Sequence, residues 1–155
     1  MKKDVINQDL LGRLNILIMN LKGGVGKSTT SSVVASFYLD STLIEIDKIN
    51  ESDDRIDSPY YNSIQMDFAS ATSDSWLDFE DRLFSNGVKI IDVGAVKLET
   101  FHTAMTINKG YEEVDLIVIP AMDGADDFIV ADKFLANLKA VGFDTKKVMF
   151  VFSRF

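Results

Sequence analysis

The sequence predicts an α/β fold, a doubly wound and mainly parallel sheet, and three observations carry that reading. Five short runs of aliphatic, β-branched and aromatic residues recur along the chain, apolar on consecutive positions, as strands buried on both faces are. Helical patterns alternate with them. The 155 residues, 46% hydrophobic and 26% charged, have the composition of an ordinary globular domain. One domain over residues 1–155 is therefore expected.

The runs are Leu14 to Met19, Thr42 to Ile46, Val88 to Ile91, Val114 to Ile119 and Val148 to Phe152. Helices are expected at about 27–39, 76–86, 97–109 and 125–141. In the last, Phe128, Ala131, Phe134, Leu135 and Leu138 recur at spacings of three and four, and Gly142 stands just past the end, where a left-handed residue is wanted. Residues 48–62 form the longest expected loop, with the pair Tyr60 and Tyr61 at its end and without an assigned role. Open sheets of this kind bind ligands beyond the carboxyl ends of their strands.

Composition excludes several function classes. The chain has no Cys, which removes a disulfide framework, thiolate metal sites and a cysteine nucleophile, and fits a reducing cytoplasm. No run of 18 apolar residues occurs and the N-terminus lacks an apolar leader, so no membrane association is expected. The net charge of −8 does not support DNA binding through the bulk field, although non-specific contact with DNA stays among the alternatives. Residues 51–82 hold nine acids against Arg55 and Arg82, which reads as a solvated acidic face or a dock for a basic partner.

Directly after the first strand comes Asn20-Leu21-Lys22-Gly23-Gly24-Val25-Gly26-Lys27-Ser28-Thr29, followed by a helical run. Strand, glycine-rich turn and helix in this order make a phosphate-binding loop. Gly23, Gly24 and Gly26 let successive N–H groups curl around an anion. The helix N-terminus adds about half a positive charge on the same side. Lys27 reaches the β- and γ-phosphates, and the Ser28 hydroxyl ligates Mg²⁺. Chance supplies such a pattern in a chain of this length at roughly 10⁻⁴ to 10⁻⁵. A dinucleotide fingerprint fits worse: its third glycine position is Thr29, and it has no lysine after the second glycine.

The general Walker pattern wants Gly at position 21, which is Leu, and the chain carries a lysine at the head of the loop instead: KGGVGKS. This resembles the deviant Walker A motif of the ParA/MinD family of ATPases, closest to the ParA-type partition ATPases, and implies a P-loop NTPase fold. The resemblance implies that Lys22 reaches across an ATP-bridged homodimer to the partner's phosphates. A second cation arriving there stabilises charge on the transferring phosphoryl group, as an arginine finger does.

Asp47 follows the second strand at its carboxyl end, where a carboxylate can position the attacking water or hold Mg²⁺ through water. It matches the second Asp of the family's DxDPQ pattern. Glu45 replaces the first, with a register that sets it one position away from the site, and Lys48-Ile49 replaces Pro-Gln. Asp92 closes an apolar strand that resembles a Walker B strand, and a carboxylate so placed needs a cation or a hydrogen-bond partner. Gly94 is read as lending its N–H to the γ-phosphate.

The expected site therefore comprises Lys22, Lys27 and Asp47 as catalytic residues. Lys22, Gly23, Gly24, Val25, Gly26, Lys27, Ser28, Thr29 and Gly94 would contact ATP, and Ser28, Asp47 and Asp92 would serve Mg²⁺. His102 is read as structural, and Asp123, Asp126 and Asp127 as helix-capping acids. The last strand ends in Ser153-Arg154 where the family has Asn-Arg, so its contact with the adenine base is in question. The resemblance runs from Leu14 to about Phe155, and family members usually continue further, so the chain reads as a compact or C-terminally shortened member.

The resemblance implies a slow ATPase, stimulated by a partition-type adaptor protein, whose ATP-dependent dimerisation serves plasmid or chromosome partition. The alternatives are a nucleotide-binding regulatory or adaptor module with negligible hydrolysis, and a MinD-like positioning ATPase. A ligase or metallocluster carrier of the wider family is a third, and the absence of Cys argues against the carrier.

Overall fold

The computed structural model describes residues 12–21, 27–46, 60–67, 74–122 and 125–153. Six parallel strands form one sheet: β1 (Arg13–Met19), β2 (Ser41–Ile46), β3 (Tyr61–Met66), β4 (Gly87–Val93), β5 (Leu116–Met122) and β6 (Val148–Ser153). Their order across the sheet is β3-β2-β4-β1-β5-β6. Among the described residues four helices connect them: α1 (Lys27–Ser36), α2 (Asp74–Phe84), α3 (Leu98–Ile107) and α4 (Ala125–Ala140).

The handedness of parallel crossovers decides which face each helix covers. A right-handed connection that moves one way along the sheet lies on the opposite face from one that moves the other way. The step from β1 to β2 goes one way, and the steps from β3 to β4, β4 to β5 and β5 to β6 go the other. Accordingly Ala35 of α1 packs with Ile16, Ile18, Leu43, Val88 and Ile90 on one face. On the other face, Trp76 and Phe79 of α2, Phe101 and Met105 of α3, and Phe134 and Leu138 of α4 pack with Leu17, Met19, Ile44, Ile91 and Ile117. The sheet is doubly wound but unequally so among the described residues. The larger core centres on Phe79 and Phe101, both fully buried and edge-to-face at 5.7 Å between ring centres. Each such side chain contributes about 1.5–3 kcal/mol of burial energy.

The expected strands and helices are present, with boundaries shifted. One strand escaped the apolar-run criterion: β3, YNSIQM, falls where the long loop was expected to end. It is an edge strand that pairs with β2, so Asn62 and Ser63 stay exposed and the run never becomes continuously apolar. Helix α1 stops at Ser36, three residues early. The chain reverses there through Asp40 in the left-handed region (φ 61°), and the Ser41 hydroxyl donates to the Ala35 carbonyl at 2.9 Å. Strand β5 starts at Leu116 rather than Val114, and it runs on through Pro120. Pairing with β1 has ended at Val118, so no ladder bond is asked of the missing N–H on that side.

The apolar face of α4 is confirmed at Ala131, Phe134 and Leu138, whereas Phe128 is half-exposed. Gly142 adopts φ 86° and ends the helix, with the Phe143 N–H returning to the Leu138 carbonyl at 3.0 Å. No helix among the described residues is long and apolar enough to cross a membrane.

Candidate functional site

The carboxyl ends of β1, β4 and β2 adjoin one another, and β1 leaves toward one face while β4 leaves toward the other. Divergent exits open a crevice above the sheet, the usual ligand position in such folds. Strand β1 ends at Met19 and α1 begins at Lys27, so the expected strand-before, helix-after frame of the phosphate loop is present. Lys22, Gly23, Gly24, Val25 and Gly26 themselves lie outside the described residues, as do Asp47 and Asp123. Lys27, Ser28 and Thr29 form the first turn of α1, and Asp126 and Asp127 belong to the first turn of α4. Because α1 must run back to deliver the chain to β2, its N-terminus stands at the same edge as the strand ends, with its positive end there.

Asp92 is nine-tenths buried, one residue before the end of β4. Asn20, one residue past β1, reaches it: its Nδ2 donates to Asp92 Oδ1 at 2.6 Å and to the Val93 carbonyl at 2.7 Å. The Asn20 N–H also donates to Val93 O at 3.2 Å. A bond from an amide to a carboxylate is charge-assisted and short, and it offsets part of the cost of burying the charge.

On the other flank Glu45 stands in register with Asp92 across the β2–β4 ladder. Leu43 and Ile90, two residues earlier on each strand, both belong to the α1-side core, so Glu45 and Asp92 share that face. The sequence expectation had moved Glu45 out of the site; cross-strand pairing brings it beside the Walker B-like carboxylate.

Gly94 follows β4 directly. Its N–H donates to the Ile46 carbonyl at 2.9 Å, lacing the end of β4 to the end of β2, and its backbone is extended (φ −69°, ψ 149°). In this structure the N–H is bonded within the sheet. Beyond it a single 3₁₀ turn, Ala95–Lys97, carries Lys97 to the Asp67 carboxylate at 2.6 Å.

His102 Nδ1 meets the Tyr111 hydroxyl at 2.5 Å, and its ring packs on Phe134, so its contacts are with the core on the other face of the sheet. Burial pulls the His102 pKa below its usual value.

The donor set at this edge is all oxygen: the Asp92 and Glu45 carboxylates and the Asn20 carboxamide oxygen. Oxygen donors suit a hard cation such as Mg²⁺. Among the described residues no group of three or more acids or histidines could hold a metal alone, so Ser28 and phosphate oxygens would have to complete its shell. The sequence did not single out Asn20 and set Glu45 one position away; the structure brings both beside Asp92. The available signal for Asn20 was its place as the polar residue closing an apolar strand immediately before the loop.

Compared by sequence, the chain matches no protein-family model and no curated protein. Compared by structure, it is similar to the cell-division protein MinD of Aquifex aeolicus, with a TM-score of 0.59 and 16% identity over 92% of this chain and 69% of that one. A chain of the MinC:MinD cell-division protein complex of Aquifex aeolicus gives a TM-score of 0.61 at 17% identity, again over 92% and 69%. A ParA-family ATPase from Chlorobium tepidum TLS gives 0.57 at 14% identity, over 92% of this chain and 74% of that one.

Proposed function

We propose that this chain, whose fold is that of the ParA and MinD ATPases, is an ATP-dependent dimerisation switch of the ParA type. Binding of ATP and Mg²⁺ at the carboxyl edge of β1 would join two copies, and slow hydrolysis would part them. The observation that carries this reading is the placement of Asp92. A buried carboxylate, held by Asn20, stands on the strand next to β1 and on the face covered by α1, whose first turn holds Lys27 and Ser28.

The roles follow from chemistry. Lys27 and the N-terminus of α1 neutralise phosphate charge, and Ser28 supplies one metal ligand. Asp92 would help hold the hydrated Mg²⁺, and Asp47 would orient the attacking water. Lys22 supplies the cation in trans that stabilises charge on the transferring phosphoryl group. Bound Mg²⁺ would withdraw charge from the β- and γ-phosphates.

Partition of DNA cargo with a stimulating adaptor protein is favoured over MinD-like positioning because residue 21 is Leu, where MinD-like loops carry Gly. The MinC:MinD complex shows a structural neighbour assembling with another protein. The setting is a reducing cytoplasm.

One observation favours a second reading, a nucleotide-binding adaptor with negligible hydrolysis: the Gly94 N–H is already bonded to Ile46. Two measurements separate these readings. ATP turnover by the wild type, with loss in Lys22→Ala and Lys27→Ala, supports the switch; equal turnover in all three counts against it. Solution mass with a non-hydrolysable ATP analogue should double relative to ADP. Tight nucleotide binding with no turnover and invariant mass would establish the adaptor.

A further inference from the structure

Asn20 is 2% exposed, and its carboxamide can be oriented in only one way. Both groups beside Nδ2 are oxygens, Asp92 Oδ1 and the Val93 carbonyl, and a carbonyl can only accept, so the nitrogen must face them. That uses both amide hydrogens. The oxygen, Oδ1, is turned away, buried, and has no donor among the described residues. Buried acceptors are almost always satisfied. Asn15 Oδ1 is orphaned as well, so what sets Asn20 apart is the side chain that carries the orphan oxygen: it grips the Asp92 carboxylate, one residue past β1.

We propose that Asn20 is a positioning residue for the metal–nucleotide complex: Nδ2 holds the Asp92 carboxylate in place, and Oδ1 accepts a hydrogen bond from a water of the Mg²⁺ shell. The proposal rests on the nucleotide reading above and assigns a residue that the loop motif does not contain. The Asp92 carboxylate is the acceptor that Asn20 steadies, and the two side chains together offer oxygen atoms to one hydrated cation.

The molecule contains its own control. Asn15, at the opposite end of β1, is equally buried and also leaves Oδ1 without a partner. Its Nδ2 donates to the backbone carbonyls of Leu83 and Glu113 at 3.0 and 2.8 Å, far from any strand carboxyl end. Asn15 is a clamp between elements, with no carboxylate in its grip.

The test is the affinity for a fluorescent non-hydrolysable ATP analogue in EDTA and across a Mg²⁺ titration, with thermal unfolding of each variant. In Asn20→Ala the affinity in EDTA should stay within about twofold of wild type, while the gain on adding Mg²⁺ falls about tenfold or more. Asn15→Ala should lower the melting temperature and leave the Mg²⁺ gain unchanged. If Asn20→Ala does not fold, Asn20→Ser, which keeps a smaller polar group, gives the same reading with a smaller loss. A folded Asn20 variant with the full wild-type Mg²⁺ gain overturns the proposal and leaves the nucleotide reading standing. A wild-type protein that binds no nucleotide overturns both.

Discussion

The Lys97 ammonium lies 2.6 Å from Asp67 Oδ1 and ties the end of β3 to the 3₁₀ turn that follows β4. Asp67 sits one residue beyond β3, at the outer edge of the sheet, and Lys97 three residues beyond Gly94. The bond spans β2, so it braces the segment after Asp92 against the far side of the sheet.

Both side chains are partly shielded, at 21% and 33% exposure, which places the pair above the usual surface salt bridge. A double-mutant cycle with Asp67→Asn and Lys97→Met should give a coupling energy of about 1 kcal/mol. The coupling should shrink in about 1 M salt, where screening reaches within a few ångströms. Purely additive single effects would show that the contact contributes nothing.

Glu45 faces Asp92 across the ladder, so its charge adds to the field felt by a cation there. A unit charge about 5 Å away in a water-like medium contributes about 0.8 kcal/mol, roughly a fourfold change in affinity. Glu45→Gln should therefore raise the Mg²⁺ concentration for half-maximal nucleotide binding about fourfold. A Mg²⁺ titration of nucleotide fluorescence reads this directly, and no shift would remove Glu45 from the site.

Lys89 supplies a pH signature. It is 3% exposed on β4, donates to the Ser85 carbonyl, and burial lowers its pKa from 10.5 to about 8, helped by Arg13 and opposed by Asp115. The folded chain gives up this proton near 8 while the unfolded chain keeps it to 10.5. The unfolded state thus binds more protons in that window, and stability rises with pH across it. Between about pH 7.5 and 9.5 the gain should be on the order of 2 kcal/mol, measured by urea unfolding. Lys89→Met should flatten the slope. Burial raises the Tyr111 pKa, which has the opposite sign: the unfolded chain loses that proton first, so stability declines above about pH 10.

Gly110 marks a close approach in the larger core. A Cβ there would lie 2.6 Å from Met105 Sδ and 2.8 Å from Trp76 Cη2. Trp76 is 3% exposed and cannot withdraw freely, whereas the Met105 side chain can bend. Gly110→Ala should cost about 1–3 kcal/mol in urea unfolding and shift the emission of Trp76, the single tryptophan. Unchanged stability would mean that the turn moves as a unit.

Much of the fold was legible because β1, β2, β4, β5 and β6 are apolar on both faces, a pattern that needs no knowledge of neighbours. The strand β3 was not, since Asn62, Ser63 and Gln65 interrupt its apolar residues, and only its pairing with β2 reveals it as a strand. The phosphate loop was readable as a local motif, and its own residues from Lys22 to Gly26 lie outside the described ones.

Within the site the division is sharper. Local chemistry along the chain determined the strand, the glycine turn and the helix, because spacing, φ freedom and charge all act within about ten residues. Partnerships between distant residues were decided by tertiary structure alone. Asn20 grips a carboxylate 72 positions away, Glu45 meets that same residue through the β2–β4 register, and Gly94 spends its N–H on Ile46. Register and hydrogen-bond pairing depend on which strands become neighbours, and strand order is set by the packing of two cores on opposite faces of the sheet.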